Sequence, residues 1–285
     1  MDIGFIGFGL IGGSIAKGLK KVHPEYRIIV TSRSKAPLYE AQKQGVVDIV
    51  ATEVDNSFKN CDYIFLCTPV ITITYYLQAL KNVIKPECII TDVGSVKGYI
   101  HQAVHDAGLD SQFIGGHPMA GSERSGFNNS SDTLLKGAIY ILTPTNESPA
   151  DKLDWLKQTV EELGAVPVVM NCKQHDYAVA GISHVPHLIS AALAILAKNN
   201  DDYENHMHTL AAGGFKDTTR IAASSPEMWE QICVTNRDAI STLLGKYIKE
   251  LNIIKSHIDN DSDEECSDYI KNLFNTAGEY RNSFK

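Results

Sequence analysis

The sequence predicts an α/β protein in two parts: a doubly wound, largely parallel sheet over residues 1–170 and an all-α part over residues 171–285. Three observations predict it. Gly7, Gly9 and Gly12 form a Gly-x-Gly-x-x-Gly turn directly after the apolar run Ile3–Ile6 and directly before a helix-like segment. Short, β-branched, apolar runs then alternate with helix-like segments as far as Met170, and beyond Met170 no convincing strand recurs. Alternation of this kind builds parallel sheets through right-handed crossovers, and continuous apolar runs suit strands buried on both faces.

Strands are expected at Ile3–Ile6, Arg27–Thr31, Tyr63–Cys67, Ile89–Val93, Phe113–Gly116, Ala138–Leu142 and Val166–Met170. Helices are expected between them at Leu10–Lys21, Leu38–Gln44, Thr72–Val83, Lys97–Ala107 and Asp151–Leu163. A glycine-rich turn between first strand and first helix defines a Rossmann-type dinucleotide-binding unit. Gly7 permits the tight turn, Gly9 admits the pyrophosphate to the backbone, and Gly12 lets helix and strand pack closely. The helix N-terminus, with Leu10 and Ile11, faces the phosphate charge. The reading is therefore an NAD or NADP site. Such folds usually carry an acidic residue for the ribose hydroxyls after the second strand. Here Ser32 and Arg33 stand there instead, which tilts the reading modestly toward NADP or dual use. Serine also bonds a ribose hydroxyl, and arginine also stacks on adenine.

In the second part, Gln174–Lys198 reads as one long helix, apolar around most of its circumference and kinked at Pro186. Two or more helices are expected to follow, including one over about Pro226–Ile254, then an acidic break at Asp259–Glu265 and a last amphipathic helix from about Ser267. A helix apolar all round must be enclosed by others. About 115 residues of helix enclose it poorly alone, so a homodimer formed through this part is expected.

Composition narrows the function classes. The 285 residues are 44% hydrophobic and 21% charged, as in soluble globular proteins. A net charge of −8 argues against nucleic acid or an anionic membrane surface as partner. No apolar run was expected to reach the roughly 20 residues of a membrane span. Asp2 stands where a secretory leader would carry basic residues. Six cysteines without a CxxC pair read as free thiols of a reducing cytoplasm.

Candidate chemistry clusters at predicted strand ends, where open α/β sheets place ligands. His117 follows Phe113–Gly116, held by Gly116 and Pro118, and an imidazole with an ordinary pKa of about 6.5 is a good general base. The plainer alternative is a turn histidine without a task. Ser95 follows Ile89–Val93 and is placed to cap the next helix, a role compatible with ligand contact. Thr68 and Pro69 end the Tyr63–Cys67 strand and are read as lining the nicotinamide pocket. His184 and His187 are three apart and share a helix face. With His175 they read as pocket groups; a metal site lacks any completing carboxylate or cysteine pattern, and local hydrogen bonding stays open for His184. Arg220 follows a Gly213-Gly214 turn and can hold a carboxylate bidentately, unless it serves a surface ion pair with Asp217.

These stretches resemble the prephenate dehydrogenase family, including the arogenate dehydrogenases of tyrosine biosynthesis. The matching segments are GFGLIGGS from Gly7, DVGSVK from Asp92, GGHPMAGSERSG from Gly115, HDYAVAGISHVPH from His175 and GGFKDTTRIAASSPEMW from Gly213. They follow the family's order over almost the whole length. The resemblance implies NAD(P)-dependent oxidative decarboxylation of prephenate to 4-hydroxyphenylpyruvate. It makes His117 the base for the ring 4-hydroxyl and Ser95 a hydrogen-bonding partner of that hydroxyl or of His117. It makes Arg220 the partner of a substrate carboxylate, with His187, His175 and Gly121 at the pocket and Asp176 and His184 in support. As a departure from some members of that family, neither a fused chorismate mutase domain before Met1 nor a regulatory domain after the last helix is expected. No metal is expected, because aromatisation drives the reaction.

Arogenate is the alternative substrate. Its ammonium group would favour a nearby carboxylate, for which Glu123 is the candidate, whereas His187 and His175 as donors favour the keto acid prephenate. A β-hydroxyacid dehydrogenase would carry a lysine in the long helix, where only the distal Lys198 occurs. A non-catalytic NAD(P) sensor would need no base beside the nicotinamide.

Overall fold

The structure is a computed structural model that describes residues 1–121 and 124–284. In chain order, its first part contains β1 (Asp2–Ile6), α1 (Leu10–Val22), β2 (Arg27–Thr31), α2 (Ala36–Lys43), β3 (Ile49–Val50), β4 (Tyr63–Leu66) and α3 (Val70–Lys81). These are followed by β5 (Ile89–Asp92), α4 (Gly98–Ala107), β6 (Phe113–Pro118), β7 (Ile139–Pro144), α5 (Ala150–Glu162) and β8 (Val166–Val169). The strands form one sheet in the order β3-β2-β1-β4-β5-β6-β7-β8. Among the described residues, only the β6/β7 pairing is antiparallel. The expected doubly wound sheet is therefore present. β3 is an addition: two residues are too short to leave a pattern in the sequence.

Side chains of a strand alternate between faces, and both faces here are apolar. Phe5, Val30, Phe65 and Ile114 join the core beneath α1, α2 and α5, while Ile6, Ile29, Ile64 and Ile90 join the core beneath α3 and α4. The β1/β4 register sets Phe5 opposite Phe65, and their rings stack at 5.1 Å. Aromatic pairs of this kind add about 0.5–1.5 kcal/mol beyond the area they bury.

The helical part comprises α6 (Cys172–Val179), α7 (Val185–Asn200), α8 (His206–Leu210), α9 (Gly213–Thr219), α10 (Pro226–Thr235), α11 (Arg237–Asn260) and α12 (Asp263–Asn282). The chain forms two compact units, Met1–Arg237 and Asp238–Lys285. Within the first, α6 packs on α4 and α10 packs on α3.

Four expectations are corrected. The long helix is continuous over Cys172–Asn200, but a π-helical turn at Ala180–His184 interrupts its regular ladder. Pro186 has no N–H to bond one turn back, and the wider turn just before it absorbs that loss. This helix is also long and apolar enough, by length and composition, to cross a membrane, contrary to the expectation that no apolar run has that reach. Its polar residues Asp176 and His184 are nonetheless buried and hydrogen-bonded within the protein. The helix expected over Pro226–Ile254 breaks at Asn236, whose side chain is used elsewhere. The acidic break is partly helical: Ser262 caps α12 in a capping box with Glu265, and Asp263, Glu264 and Glu265 occupy its first turn, where negative charge complements the helix dipole.

Candidate active site

Parallel strands bring several loops to one edge of the sheet. The β1–α1 turn, the residues after β2, the β4–α3 link and the β5–α4 loop all leave from carboxyl ends. β6 runs parallel to β5 and delivers His117 at that edge.

The dinucleotide turn has the required geometry. Gly7 has φ +86°, and a Cβ there would lie 2.7 Å from the Cys67 carbonyl oxygen. A Cβ on Gly12 would meet the Gly7 oxygen at 3.0 Å, so α1 leaves close against β1. Around Gly9, by contrast, a Cβ would meet nothing within 4 Å. That open space above a helix N-terminus with Leu10 and Ile11 in its first turn is what a pyrophosphate needs. Thr68 lies across from it, and its buried hydroxyl has no hydrogen-bond partner among the described residues. A buried polar atom of this kind is costly unless a ligand completes it. Pro69 starts α3. Ser32 is half-buried and Arg33 exposed just beyond β2. The residues present fit NAD(P).

His117 is only 8% exposed, on β6. Its Nδ1 lies 2.8 Å from His175 Nε2, and His175 Nδ1 lies 2.8 Å from Asp176 Oδ1. Burial, and the repulsion of His175 and Lys97, hold His117 well below the ordinary histidine range, so it is neutral at pH 7. Burial also lowers His175, although Asp176 opposes the shift. A neutral imidazole at the cofactor edge can accept a proton. Both ring nitrogens of His175 are engaged by protein groups, which corrects its expected role as a donor to substrate.

Beneath His117, Asp92 and Lys97 form a fully buried ion pair. Lys97 Nζ donates to the Gly116 carbonyl at 2.7 Å, and the Gly116 and Gly94 amides donate to Asp92 at 3.1 and 2.7 Å. A Cβ on Gly116 would sit 2.5 Å from the Asp92 carbonyl oxygen, so glycine is what allows β6 to close on β5 here. Desolvation lowers the Lys97 pKa and the Asp92 charge opposes it. The sequence reading missed both members of this pair. The available signal was a strand-ending Asp92 and a Lys97 five residues apart around Gly94. Ser95 lies in the same loop, half-buried. It does not cap α4, which corrects that expectation. The Asp176 carboxylate does so from α6, accepting the Lys97 and Gly98 amides at 2.7 Å each.

The helical wall is less enclosed. His187 Nδ1 donates to the Ser183 carbonyl at 2.8 Å, and its ring stacks on Trp229 at 3.9 Å. Burial lowers its pKa; the hydrogen bond to Ser183 opposes the shift and the Arg220 charge adds to it. Arg220 itself is exposed, in a 3-10 turn, Arg220–Ala223, that packs on α7. His184 is 1% exposed and accepts from Asn236 Nδ2 at 3.1 Å; burial pushes it down to about 4. Asn236 also donates to the Asp176 carbonyl at 2.9 Å and was not foreseen. Gly121 is exposed with open space around it. Glu123, the candidate for discriminating arogenate, lies outside the described residues. Among the described residues, no group of three His, Cys, Asp or Glu is placed to hold a metal.

A glycine-cradled helix N-terminus and a buried neutral imidazole on one sheet edge define an NAD(P)-dependent dehydrogenase. Comparison with known proteins narrows the class. The profile of the prephenate dehydrogenase nucleotide-binding domain matches residues 15–169, and that of the prephenate dehydrogenase dimerization domain matches residues 171–272. The chain is similar to prephenate dehydrogenase of Bacillus subtilis, 37% identical over 278 residues, which are 96% of this chain and 74% of the relative. Among solved structures it is similar to Aquifex aeolicus prephenate dehydrogenase in complex with hydroxyphenyl propionate and NAD+. That match has a TM-score of 0.90 at 31% identity and covers 98% of each chain. It is also similar to Synechocystis arogenate dehydrogenase, with a TM-score of 0.86 at 32% identity over 98% of this chain and 100% of the other. The chain belongs to the prephenate dehydrogenase family, and it is an NAD(P)-dependent oxidoreductase.

Proposed function

We propose that this chain converts prephenate to 4-hydroxyphenylpyruvate and CO2, with His117 as general base. The observation that carries this reading is His117 itself: a buried imidazole kept neutral at the edge where the dinucleotide turn lies. His117 accepts the proton of the substrate's ring 4-hydroxyl. Bound NAD(P)+ supplies the acceptor for the C4 hydride. Loss of the ring carboxylate as CO2 then leaves an aromatic ring. Ser95, in the adjoining loop, bonds the 4-hydroxyl or His117. Arg220 pairs with a substrate carboxylate, and His187 lines the wall beside it. Gly121 leaves room at the mouth. His184 supports the wall from within.

Prephenate is preferred over arogenate because the relatives at 37% and 34% identity are named prephenate dehydrogenases. The proposal divides the labour between residues 1–170, which bind cofactor, and 171–285, which bind substrate and dimerise. The matched dimerization-domain profile supports this division. So do exposed Ile182, Ile195 and Leu196 on the long helix, and exposed Ile258 and Phe274 on α11 and α12. A second copy would cover such surfaces. A cytoplasmic location belongs to the same reading and is supported by six free cysteines.

Initial rates on purified protein test the proposal, with prephenate and arogenate each paired with NAD+ and NADP+ and followed by reduced-nicotinamide absorbance. The expected result is turnover of prephenate. Turnover of arogenate alone reverses the substrate assignment. No turnover with any pair, in protein that binds cofactor, removes it.

A further inference from the structure

We propose that His175 and Asp176 are positioning residues that hold His117 in one tautomer, with its proton on Nδ1 and its lone pair on Nε2. Nε2 is thus the atom that takes the substrate proton. This rests on His117 being the base, as proposed above, and it says which nitrogen acts and what sets it.

The argument runs along one chain of hydrogen bonds. The Asp176 carboxylate accepts the Lys97 amide at 2.7 Å, the Gly98 amide at 2.7 Å and His175 Nδ1 at 2.8 Å. An ionised carboxylate only accepts, and three donors hold it ionised. The proton between Asp176 and His175 therefore sits on His175 Nδ1. A neutral His175 then has a bare Nε2, which can only accept. The atom facing it at 2.8 Å is His117 Nδ1, so His117 must donate there. A neutral His117 has one ring proton, and this bond uses it. The lone pair is left on Nε2.

The opposite arrangement, with His117 Nδ1 bare, would need a doubly protonated His175. His175 is 0% exposed, and the groups facing this pair include Lys97 and His184 as well as Asp92 and Asp176. A cation there would lose its hydration and meet the Lys97 charge, and the Asp92 carboxylate is already bound to Lys97 and two amides. The tautomer is thus a consequence of packing α6 on α4. Asn236 secures the same junction by donating to the Asp176 carbonyl at 2.9 Å.

The arrangement also serves the chemistry. When the O–H bond of the substrate breaks and an Nε2–H bond forms, His117 becomes an imidazolium. Its Nδ1–H already points at His175, whose own N–H points at the Asp176 anion. The new positive charge is stabilised through two hydrogen bonds without a proton leaving His117 or His175. A carboxylate that orients a catalytic imidazole directly fixes tautomers in the same way; here a second imidazole is interposed.

The test uses the full-length protein with 15N-labelled histidine, together with His175→Leu and His175→Gln. In the wild type without ligand, the His117 resonances should report a protonated Nδ1 and a bare Nε2. His175→Leu removes the acceptor and should lower kcat about 10²-fold, within the range a general base supplies. KM for substrate and affinity for cofactor should stay near wild type. In His175→Gln the side-chain carbonyl can occupy the place of Nε2, and most of the lost kcat should return. A wild-type His117 protonated on Nε2 overturns the proposal. So do equal kcat values for the Leu and Gln variants, or a loss expressed in KM alone. The resonance measurement needs neither substrate nor a folded variant. The expected tautomer in a protein that does not turn over prephenate would count against the proposed function and leave the positioning argument standing.

Discussion

The base side and the anchoring side of this site are built on opposite terms. His117, His175, Asp176, Lys97 and Asp92 are buried, and each is hydrogen-bonded to protein. They come from three separate chain segments. Arg220 lies exposed in a short 3-10 turn, and His187 is half-buried against Trp229. Buried polar groups are tolerated only when bonded, so the base side is rigid by necessity. Proton transfer needs that rigidity. A charged substrate needs the reverse at its entrance: a cation that water and a carboxylate can reach. Substitutions on the two sides should therefore fail differently.

The largest effect should follow from His117→Asn, which keeps a polar side chain on β6 and removes the base. A loss of 10²- to 10⁴-fold in kcat is expected, following the usual worth of a general base, with cofactor affinity retained in a binding titration. Near-normal turnover would take His117 out of the mechanism. Lys97→Met should damage the fold instead. It leaves Asp92 charged in a buried site, and the expected cost is about 3–5 kcal/mol in denaturant unfolding. An unchanged midpoint would show that the pair does not stabilise the β5–β6 edge.

Arg220→Ala should separate the two sides. Loss of a charge-assisted bond worth about 1.5–3 kcal/mol should raise KM for prephenate roughly 10- to 100-fold, with kcat little changed. A fall in kcat with KM unchanged would place Arg220 on the base side after all. Smaller still is the effect expected of Gly9→Ala. Its methyl group meets no protein atom, so stability should hold while KM for NAD(P)+ rises. Unchanged cofactor affinity would move the pyrophosphate elsewhere.

Acid should act through the buried histidines. His184 is pushed down to about 4 in the folded chain, below the ordinary value near 6.5, and His117 and His175 are lowered too. The unfolded chain then binds more protons than the folded one below pH 6.5. Stability should be full above about pH 6.5 and fall progressively toward pH 4. Denaturant midpoints across that range check the sign; stability that rises on acidification would contradict it.

How much of this could be seen in advance differs by element. The Gly7–Gly12 turn is local: its dihedral and packing demands act within a few residues, so the motif and its strand–helix context are readable together. Strands buried on both faces leave continuous apolar runs, and all but the two-residue β3 left one. His117 was visible because a histidine between Gly116 and Pro118 at a strand end has few other uses. The Ser95 cap failed because Asp176 competes for the same amides from a distant helix. The break at Asn236 failed because its side chain is bonded to residues 52 and 60 positions earlier. No local pattern records either partnership.

From the sequence alone came the sheet, its cofactor turn, the all-α continuation and the histidine proposed as base, since each depends on residue type and periodicity over short stretches. Only the tertiary structure decided which groups surround that base. It buried Lys97 against Asp92, turned His175 from the substrate toward His117, and gave the start of α4 to Asp176. Those outcomes depend on which polar groups meet once water is excluded, and that is settled by packing between segments far apart in the chain.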